Sequence, residues 1–225
     1  MPVFGLVTEG ITDQAVLENI INGIVLAKTD DEADFVFSQP TRGVGKQKND
    51  GGWERVFEFL ATEDLMIDAL EKVSFLVIHL DSDQGTHKNF GVALLDATGK
   101  PRPTIDIISD VKNVLISKIS PAVYLKYRDK LVFAIAVHSL ECWLLPLFGK
   151  KRSRANEVNC ERKLAHELRV KGKDRFVERR EDKLIKDYDL YFDLSSPYYE
   201  PASADRAAVH NESLESFVGA LNSKL

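Results

Sequence analysis

Four acidic residues stand where a metal centre or an acid–base centre would need them, directly after predicted strands. Glu9 and Asp13 follow the first apolar run of the chain, and Asp81 and Asp83 follow a second run at residues 73–80. Both runs have the composition of buried strands, and an open α/β sheet binds ligands at the carboxyl ends of its strands. Carboxylates that meet at one edge repel one another strongly unless a divalent cation lies among them. The pattern therefore predicts a metal-dependent enzyme.

The predicted elements alternate between strands and helices, which indicates an α/β fold with a mostly parallel sheet covered by helices on both faces. Strands are predicted at residues 3–7, 34–39, 73–80 and 131–137, and helices at residues 12–25, 53–71, 104–119, 140–147 and 203–221. Thr12 or Asp13 is the expected N-cap of the first helix. We expect two regions, a core at residues 1–149 and a mainly helical, basic extension packed on it at residues 150–225.

Charge is distributed unevenly along the chain. The net charge of -5 by itself disfavours nucleic acid as a partner, but residues 150–186 hold 14 basic against 7 acidic side chains, a local charge of +7. The rest of the chain holds 16 basic against 28 acidic side chains, a charge of -12. A basic segment beside an acidic metal centre suits a ligand with a phosphate backbone. A solvated, salt-bridged pair of helices explains the same composition, and the sequence leaves both explanations open.

The overall composition is that of an ordinary globular protein, with 44% apolar and 29% charged residues. The longest apolar runs fall far short of the ~20 residues that span a bilayer, and Glu9 interrupts the N-terminal run too early for a signal peptide. We therefore expect a cytoplasmic protein with no membrane segment. Cys142 and Cys160 lack the spacing of a metal site and are expected to be reduced, structural thiols.

Three short motifs resemble the Toprim fold of topoisomerases, bacterial primases, small RNA-maturing nucleases and nucleases of the overcoming-lysogenization-defect type. Residues 6–13 (Leu-Val-Thr-Glu-Gly-Ile-Thr-Asp) match its Glu-Gly-x-x-Asp element, and residues 77–83 (Val-Ile-His-Leu-Asp-Ser-Asp) match its Asp-x-Asp element. Residues 136–145 look like the Glu-x-Trp-Leu-Leu segment of small Toprim-like proteins from bacterial and phage defence loci. The order of these motifs and their placement at strand ends carry the resemblance, which covers roughly residues 3–147.

The resemblance implies cleavage of phosphodiester bonds in DNA or RNA with Mg2+ or Mn2+. Glu9 matches the family's glutamate, which acts as a general acid or base or holds metal, and Asp81 and Asp83 match its metal-binding aspartates. The two aspartates are two positions apart, so they point the same way if strand geometry persists. Gly10 allows the backbone to pass closely beside the metal or the phosphate.

Asp13 and Glu141 each have two interpretations. Asp13 is either a further metal ligand or only an N-cap, and Glu141 is either a ligand at a strand-to-helix turn or an acid favoured by the helix dipole. For the Asp81 and Asp83 pair, the alternative is a solvated turn. Gln84 stands where some Toprim nucleases carry a further acidic residue, which makes a second metal site less secure.

Basic and polar residues in two loops are candidates for binding substrate. Arg42, Lys46 and Lys48 lie in a predicted glycine-rich loop whose backbone amides and basic side chains suit phosphate, although the loop lacks the order of a P-loop. His87 lies in a second polar loop, where it would touch the substrate.

Histidines and aromatic residues complete the set of candidates. His79 and His138 occupy late strand positions and are either ligands or packed, hydrogen-bonded side chains. Trp53 and Trp143 are expected to fill the core or an interface. The aromatic residues of the tail would serve the core, an interface or base stacking; they are Tyr188, Tyr191, Phe192, Tyr198 and Tyr199.

The leading hypothesis is a Toprim-type nuclease that acts on nucleic acid, as an effector in anti-phage defence. No ATPase motif is present, so an ATPase would have to come from a partner chain, and the helical tail offers a surface for a homodimer. A second hypothesis is a catalytically degenerate, Toprim-like subunit that binds a partner within a defence complex. A third, nucleotidyl transfer as in primases, ranks last because no zinc-binding or helicase-binding part is evident.

Overall fold

A computed structural model describes residues 1–41, 51–150 and 158–225, and within them it confirms the predicted α/β class. The sheet of the described chain has four strands, all parallel, in the order β2-β1-β3-β4. The strands are β1 (Val3–Val7), β2 (Asp34–Gln39), β3 (Phe75–Asp81) and β4 (Leu131–Ala136). The near-continuous apolar sequences of β1, β3 and β4 are those of strands with helices on both faces, whereas β2 is a partly exposed edge strand.

The described helices include all the predicted ones. They are α1 (Ile11–Thr29), α2 (Trp53–Ala61), α3 (Glu63–Lys72), α4 (Thr104–Lys118), α5 (Pro121–Tyr127), α6 (Glu141–Phe148), α7 (Cys160–Val170), α8 (Tyr188–Ser195), α9 (Ser203–Ala208) and α10 (Glu212–Asn222). Residues 53–71 form a pair of helices, the alternative to one helix that the sequence also allows, and residues 203–221 are divided into two; α5 was not predicted, and α7 and α8 lie in the tail expected to be mainly helical. Extended Thr62 separates α2 from α3. Asn211 begins α10, because its side chain accepts a hydrogen bond from the Leu214 N–H at 2.9 Å.

Side chains of β3 alternate between two hydrophobic layers, as the period of two residues in a strand requires. Leu76, Ile78 and Leu80 pack into the layer formed by α2, α3 and α4. Val77 packs into the opposite layer, which contains α1 and the C-terminal helices. His79 and Asp81 share the parity of Val77, so β3 presents them towards α1.

The chain reverses its direction across the sheet between β1 and β3. From β1 it passes through α1 to β2 on one side, and from β2 it returns past β1, through α2 and α3, to β3 on the other. The two connections lie on opposite faces of the sheet. The ends of β1 and β3 therefore flank the topological switch point at which open α/β sheets bind ligands.

The C-terminal helices form most of the layer that covers one face of the sheet. Helix α10 packs on β4, and Trp143 of α6 stacks on Phe217 at a centroid distance of 5.4 Å while its Nε1 donates to Ser213 Oγ at 2.8 Å. The turn at Ser196–Tyr199 lies so close to α1 that a Cβ on Gly23 would be 2.0 Å from the Tyr198 carbonyl oxygen. Of the tail's aromatic side chains, Tyr191 and Tyr198 are fully buried, so they belong to the core.

The prediction of reduced thiols is wrong in this structure, where Cys142 and Cys160 form a disulfide. The two residues stand at the first turns of α6 and α7, which pack against each other and bring the Cα atoms to 4.9 Å. Spacing along the sequence gave no sign of this contact. Among the described residues, no helix has the length and apolar character needed to cross a bilayer.

Candidate metal and catalytic site

Glu9 follows β1 and joins the ends of three elements. Its Oε1 accepts a hydrogen bond from the backbone N–H of Asp81 at 2.7 Å, and its carboxylate also accepts from the backbone N–H of Trp53. Its carbonyl oxygen accepts from the Gly52 N–H at 2.7 Å. A Cβ on Gly51 would lie 2.5 Å from that carbonyl oxygen, so glycine permits this close approach. Glu9 is thus held between β3 and the start of α2.

Asp13 serves both the first helix and the site. Gly10, not Thr12 or Asp13, is the N-cap of α1, and the Asp13 carboxylate accepts the Gly10 N–H at 2.8 Å. The Asp13 side chain is 12% exposed and its Oδ2 lies 3.7 Å from Nδ1 of His79. The prediction that Thr12 or Asp13 is the N-cap is therefore wrong: Asp13 closes a capping box from the third helical position, and the same carboxylate approaches His79.

His79 lies fully buried between two of the predicted acids. Its Nε2 is 3.5 Å from Oδ1 of Asp81, and both ring nitrogens, like that oxygen, have no hydrogen-bond partner. Its ring meets Trp143 edge-on at 5.9 Å between centroids. Buried polar atoms are nearly always paired, so these three unpartnered atoms distinguish this region from ordinary core.

Asp83 lies in the turn after β3, where hydrogen bonds hold its backbone and its side chain is exposed. Its N–H donates to the His138 carbonyl oxygen at 3.0 Å, while buried Ser82 accepts the His138 N–H on its Oγ at 2.8 Å. These bonds join the turn after β3 to the turn after β4. His138 is thus a backbone partner of the Asp-x-Asp turn.

Glu141 is paired within the chain. Its Oε1 accepts from Lys186 Nζ at 2.5 Å and from the Tyr191 hydroxyl at 2.8 Å, and Lys186 also lies 3.3 Å from Glu161. Burial opposes the charge on Glu141, but Lys186 and these hydrogen bonds bring its pKa below the ordinary value. Glu141 is therefore an ionised, neutralised partner of a lysine at the edge of the site.

The other acids are held in an environment that disfavours their charge. Burial, with the nearby Asp13 carboxylate, raises the pKa of Glu9 to about 8, and burial raises the pKa of Asp13 to about 7. Burial and the neighbouring Glu9 and Asp13 raise the pKa of Asp81 well above its usual value. Burial also raises the pKa of Asp83 and lowers the pKa of His79 to about 3. Near neutral pH the site retains protons unless a cation replaces them.

The donor set of this site suits a hard divalent cation. Asp81 Oδ1 is buried without a partner, and Glu9, Asp81 and Asp83 supply the oxygen ligands that Mg2+ and Mn2+ prefer. In the part of the chain that the structure describes, no three His, Cys, Asp or Glu side chains form a ready-made metal-binding group. The acids would therefore have to turn towards a cation as it binds.

A cleft of about 540 Å3 opens beside the acids. Its lining joins Asp81, Asp83 and Glu141 to residues of α7 and of the segment before α8, where Arg162, Lys183 and Lys186 alternate with Glu161, Glu181 and Asp182. Each basic group has an acidic partner: Arg162 pairs with Asp182, Lys183 with Glu181, and Lys186 with Glu141 and Glu161. The extension therefore brings basic side chains to the acidic strand ends, but as ion pairs.

The candidate substrate residues have different outcomes. The N–H of Gly10 is used by Asp13, and His87 is exposed in the loop after β3, against Trp53. Arg42, Lys46 and Lys48 lie outside the described residues. Sequence analysis missed Lys186 and Tyr191, whose contacts with Glu141 span 45 and 50 residues and leave no local pattern.

Comparison with protein-family models, curated proteins and solved structures gives no match for this chain. The functional argument consequently depends on the geometry and chemistry of the site.

Proposed function

We propose that this protein is a divalent-metal-dependent nuclease that cleaves phosphodiester bonds in DNA or RNA. The observation that carries the proposal is the bond between Glu9 and the Asp81 backbone, which joins the two acidic strand ends at the switch point of the sheet. Four acids with raised pKa values gather there, beside a cleft whose lining also contains basic side chains of the C-terminal extension.

Glu9, Asp81 and Asp83 are the residues that would hold the cation. A bound Mg2+ or Mn2+ would stabilise negative charge on the phosphate and lower the pKa of an attacking water. Asp13 would position the site, because its carboxylate accepts the N–H of Gly10, the N-cap of α1, and lies close to His79. Without metal, burial and the nearby Asp13 carboxylate raise the pKa of Glu9 to about 8, and a bound cation would displace that proton, so Glu9 would enter the reaction as a metal ligand.

Basic side chains in the cleft lining support a phosphate backbone as the ligand. Lys186 is oriented by Glu141 and Glu161, while Arg162 and Lys183 stand on exposed positions and pair with Asp182 and Glu181. Exposed ion pairs are weak, so these two groups would exchange their carboxylate partners for the phosphates of a bound strand. Participation in anti-phage defence and the use of an ATPase from a partner chain extend this proposal through the resemblance to Toprim proteins.

The test is calorimetric titration of Mn2+ into the parent, an Asp81→Asn/Asp83→Asn variant and an Asp31→Asn control. Asp31 is exposed in the turn after α1, so its substitution leaves the site intact. We expect binding by the parent and the control, loss in the folded double variant, and metal-dependent cleavage of DNA or RNA that follows the same order. Absence of Mn2+ binding by the parent, with nucleic acid present as well, would overturn the proposal.

A second candidate is a catalytically degenerate subunit that binds a partner protein. The observation that favours it is the Lys186–Glu141 pair, in which the chain's own cation neutralises one of the five predicted acids. This candidate predicts no metal binding and no cleavage, so the same titration separates the two functions.

A further inference from the structure

An aromatic cluster adjoins the acidic centre on the side of α2. Trp53, the first residue of α2, lies 5.2 Å from the ring of Phe57 and 5.6 Å from the ring of Phe90, centroid to centroid. Phe57 and Phe90 are buried, whereas Trp53 is only partly buried. Gly52, the residue before Trp53, donates its backbone N–H to the Glu9 carbonyl oxygen at 2.7 Å, so α2 and its first indole begin beside the centre.

His87 adds an exposed ring to this cluster, and its position is fixed. Its ring lies 5.2 Å from that of Trp53 at an interplanar angle of 52°. Its carbonyl oxygen accepts from the N–H groups of Phe90 and Gly91, each at 2.8 Å. Its Nδ1 accepts from the Asn89 N–H at 3.3 Å. An exposed imidazole held at both backbone and ring loses little freedom when a flat ligand stacks on it.

We infer that Trp53 and His87 form a stacking platform for an unpaired nucleobase next to the phosphate at the acidic centre. The inference rests on the proposed nuclease function and specifies its substrate class as single-stranded nucleic acid. Unpaired bases stack on aromatic rings whatever their identity, with ~1–3 kcal/mol per base. Bases inside a duplex are stacked on one another and do not reach such a ring. The platform therefore selects strands or loops with free bases.

The test measures binding in Ca2+, an oxygen-seeking cation that neutralises the carboxylates. The probes are oligothymidylate and oligouridylate of about 12 nucleotides, within the length that one groove covers, and a duplex of the same length. Intrinsic fluorescence reports on the platform, because the chain has two tryptophans and Trp143 is fully buried against Phe217. Stacking on Trp53 should quench emission in the parent, and the Trp53→Phe variant should lose this response.

Substitutions at His87 provide the second readout. We expect His87→Ala to weaken single-strand binding by about fivefold or more, which corresponds to the lower end of the stacking range. His87→Phe should bind like the parent, because it keeps a flat ring. His210→Ala, at a partly buried histidine between α9 and α10, is the control and should bind like the parent. Thermal unfolding of each variant verifies its fold.

Three results would each overturn the platform: equal affinity for the duplex, parent-like binding by His87→Ala, or no binding of any probe by the parent. Its failure is distinguishable from that of the nuclease. A parent that binds and is quenched but never cleaves with Mg2+ or Mn2+ keeps the platform and loses the nuclease. Cleavage that is unchanged in His87→Ala and equal for single strands and duplex keeps the nuclease and loses the platform.

Discussion

The carboxylate of Glu9 accepts a hydrogen bond from the backbone N–H of Asp81 at 2.7 Å, across 72 residues of sequence. This bond joins the ends of the two strands that flank the switch point, because Glu9 follows β1 and Asp81 ends β3. It also fixes the direction in which the Glu9 carboxylate faces the other acids. Glu9 thus has a structural role beside its proposed role as a metal ligand, and its substitutions should separate the two.

Glu9→Gln should keep the fold and lose the metal. Glutamine retains one oxygen acceptor for the backbone N–H groups of Asp81 and Trp53 but has no charge for a cation. Mn2+ affinity, measured by calorimetry, should fall at least about tenfold, or roughly 1.4 kcal/mol. Glu9→Ala should in addition lower the free energy of unfolding by about 1–3 kcal/mol, because it leaves two N–H groups unpaired.

Glu54→Gln is the matched control for these variants, since Glu54 is an exposed acid in the first turn of α2. It should leave metal affinity and stability close to those of the parent. Equal Mn2+ affinity in Glu9→Gln and the parent would remove Glu9 from the set of metal ligands.

The metal-free protein should lose stability as pH rises from about 6.5 to about 9. Glu9 and Asp13 have folded pKa values of about 8 and about 7, above their ordinary 4.5 and 3.8, so the folded state binds more protons than the unfolded state. Their contribution is complete below the ordinary pKa values and disappears as pH passes through 7 and 8. We expect the free energy of unfolding to fall by roughly 1–3 kcal/mol over this range, measured by urea unfolding with EDTA present to keep the protein free of metal.

His79 opposes the acids below pH 6.5, and above that pH only the fall caused by the acids remains. Its folded pKa of about 3 lies below its ordinary 6.5, so its contribution grows as pH rises to 6.5 and is complete above it. Mn2+ should flatten the fall above pH 6.5, because a bound cation takes the place of the protons. Stability that stays constant or rises over this range without metal would contradict the raised pKa values.

Lys186→Met should destabilise the protein by about 1–3 kcal/mol, because it leaves the buried Glu141 carboxylate without its cation. Lys183→Met is the control, since Lys183 pairs with exposed Glu181, and should change stability by less than about 0.5 kcal/mol. Urea unfolding provides the comparison.

The double variant Glu141→Gln/Lys186→Met tests the pairing itself. It should recover part of the loss, because neutral glutamine no longer needs a cation. A Lys186→Met variant as stable as Lys183→Met, or a double variant with no recovery, would show that the pair contributes nothing to folding.

Reduction of the Cys142–Cys160 disulfide should lower the free energy of unfolding by about 3 kcal/mol, the value for a closed loop of similar length. The bonded residues are 18 apart in sequence. Urea unfolding with and without dithiothreitol measures the difference, and a Cys142→Ala/Cys160→Ala variant should be insensitive to the reductant. If both cysteines are alkylated in denaturant without reductant, the purified protein does not contain this bond.

The strand ends and their acids were predictable because buried parallel strands appear as continuous apolar runs, so Glu9, Asp81 and Asp83 stood at visible boundaries. The position of His79 between Asp13 and Asp81 was not predictable from the sequence, because it depends on how α1 packs against one face of β3. Lys186 and the disulfide were equally hidden. Both depend on contacts between α6 and the C-terminal region, and no local spacing encodes which distant helices meet.

The helices that cover the α1 face of the sheet have a consequence for synthesis of the protein. A ribosome makes β1 to β4 before α8 and α10, so the face that later receives Phe217 and Tyr198 is uncovered while those strands form. Lys186 reaches Glu141 only when the same late segment docks. Part of the nascent sheet therefore stays exposed as an apolar, acid-edged surface until the last layers dock, which both buries that surface and completes the cleft.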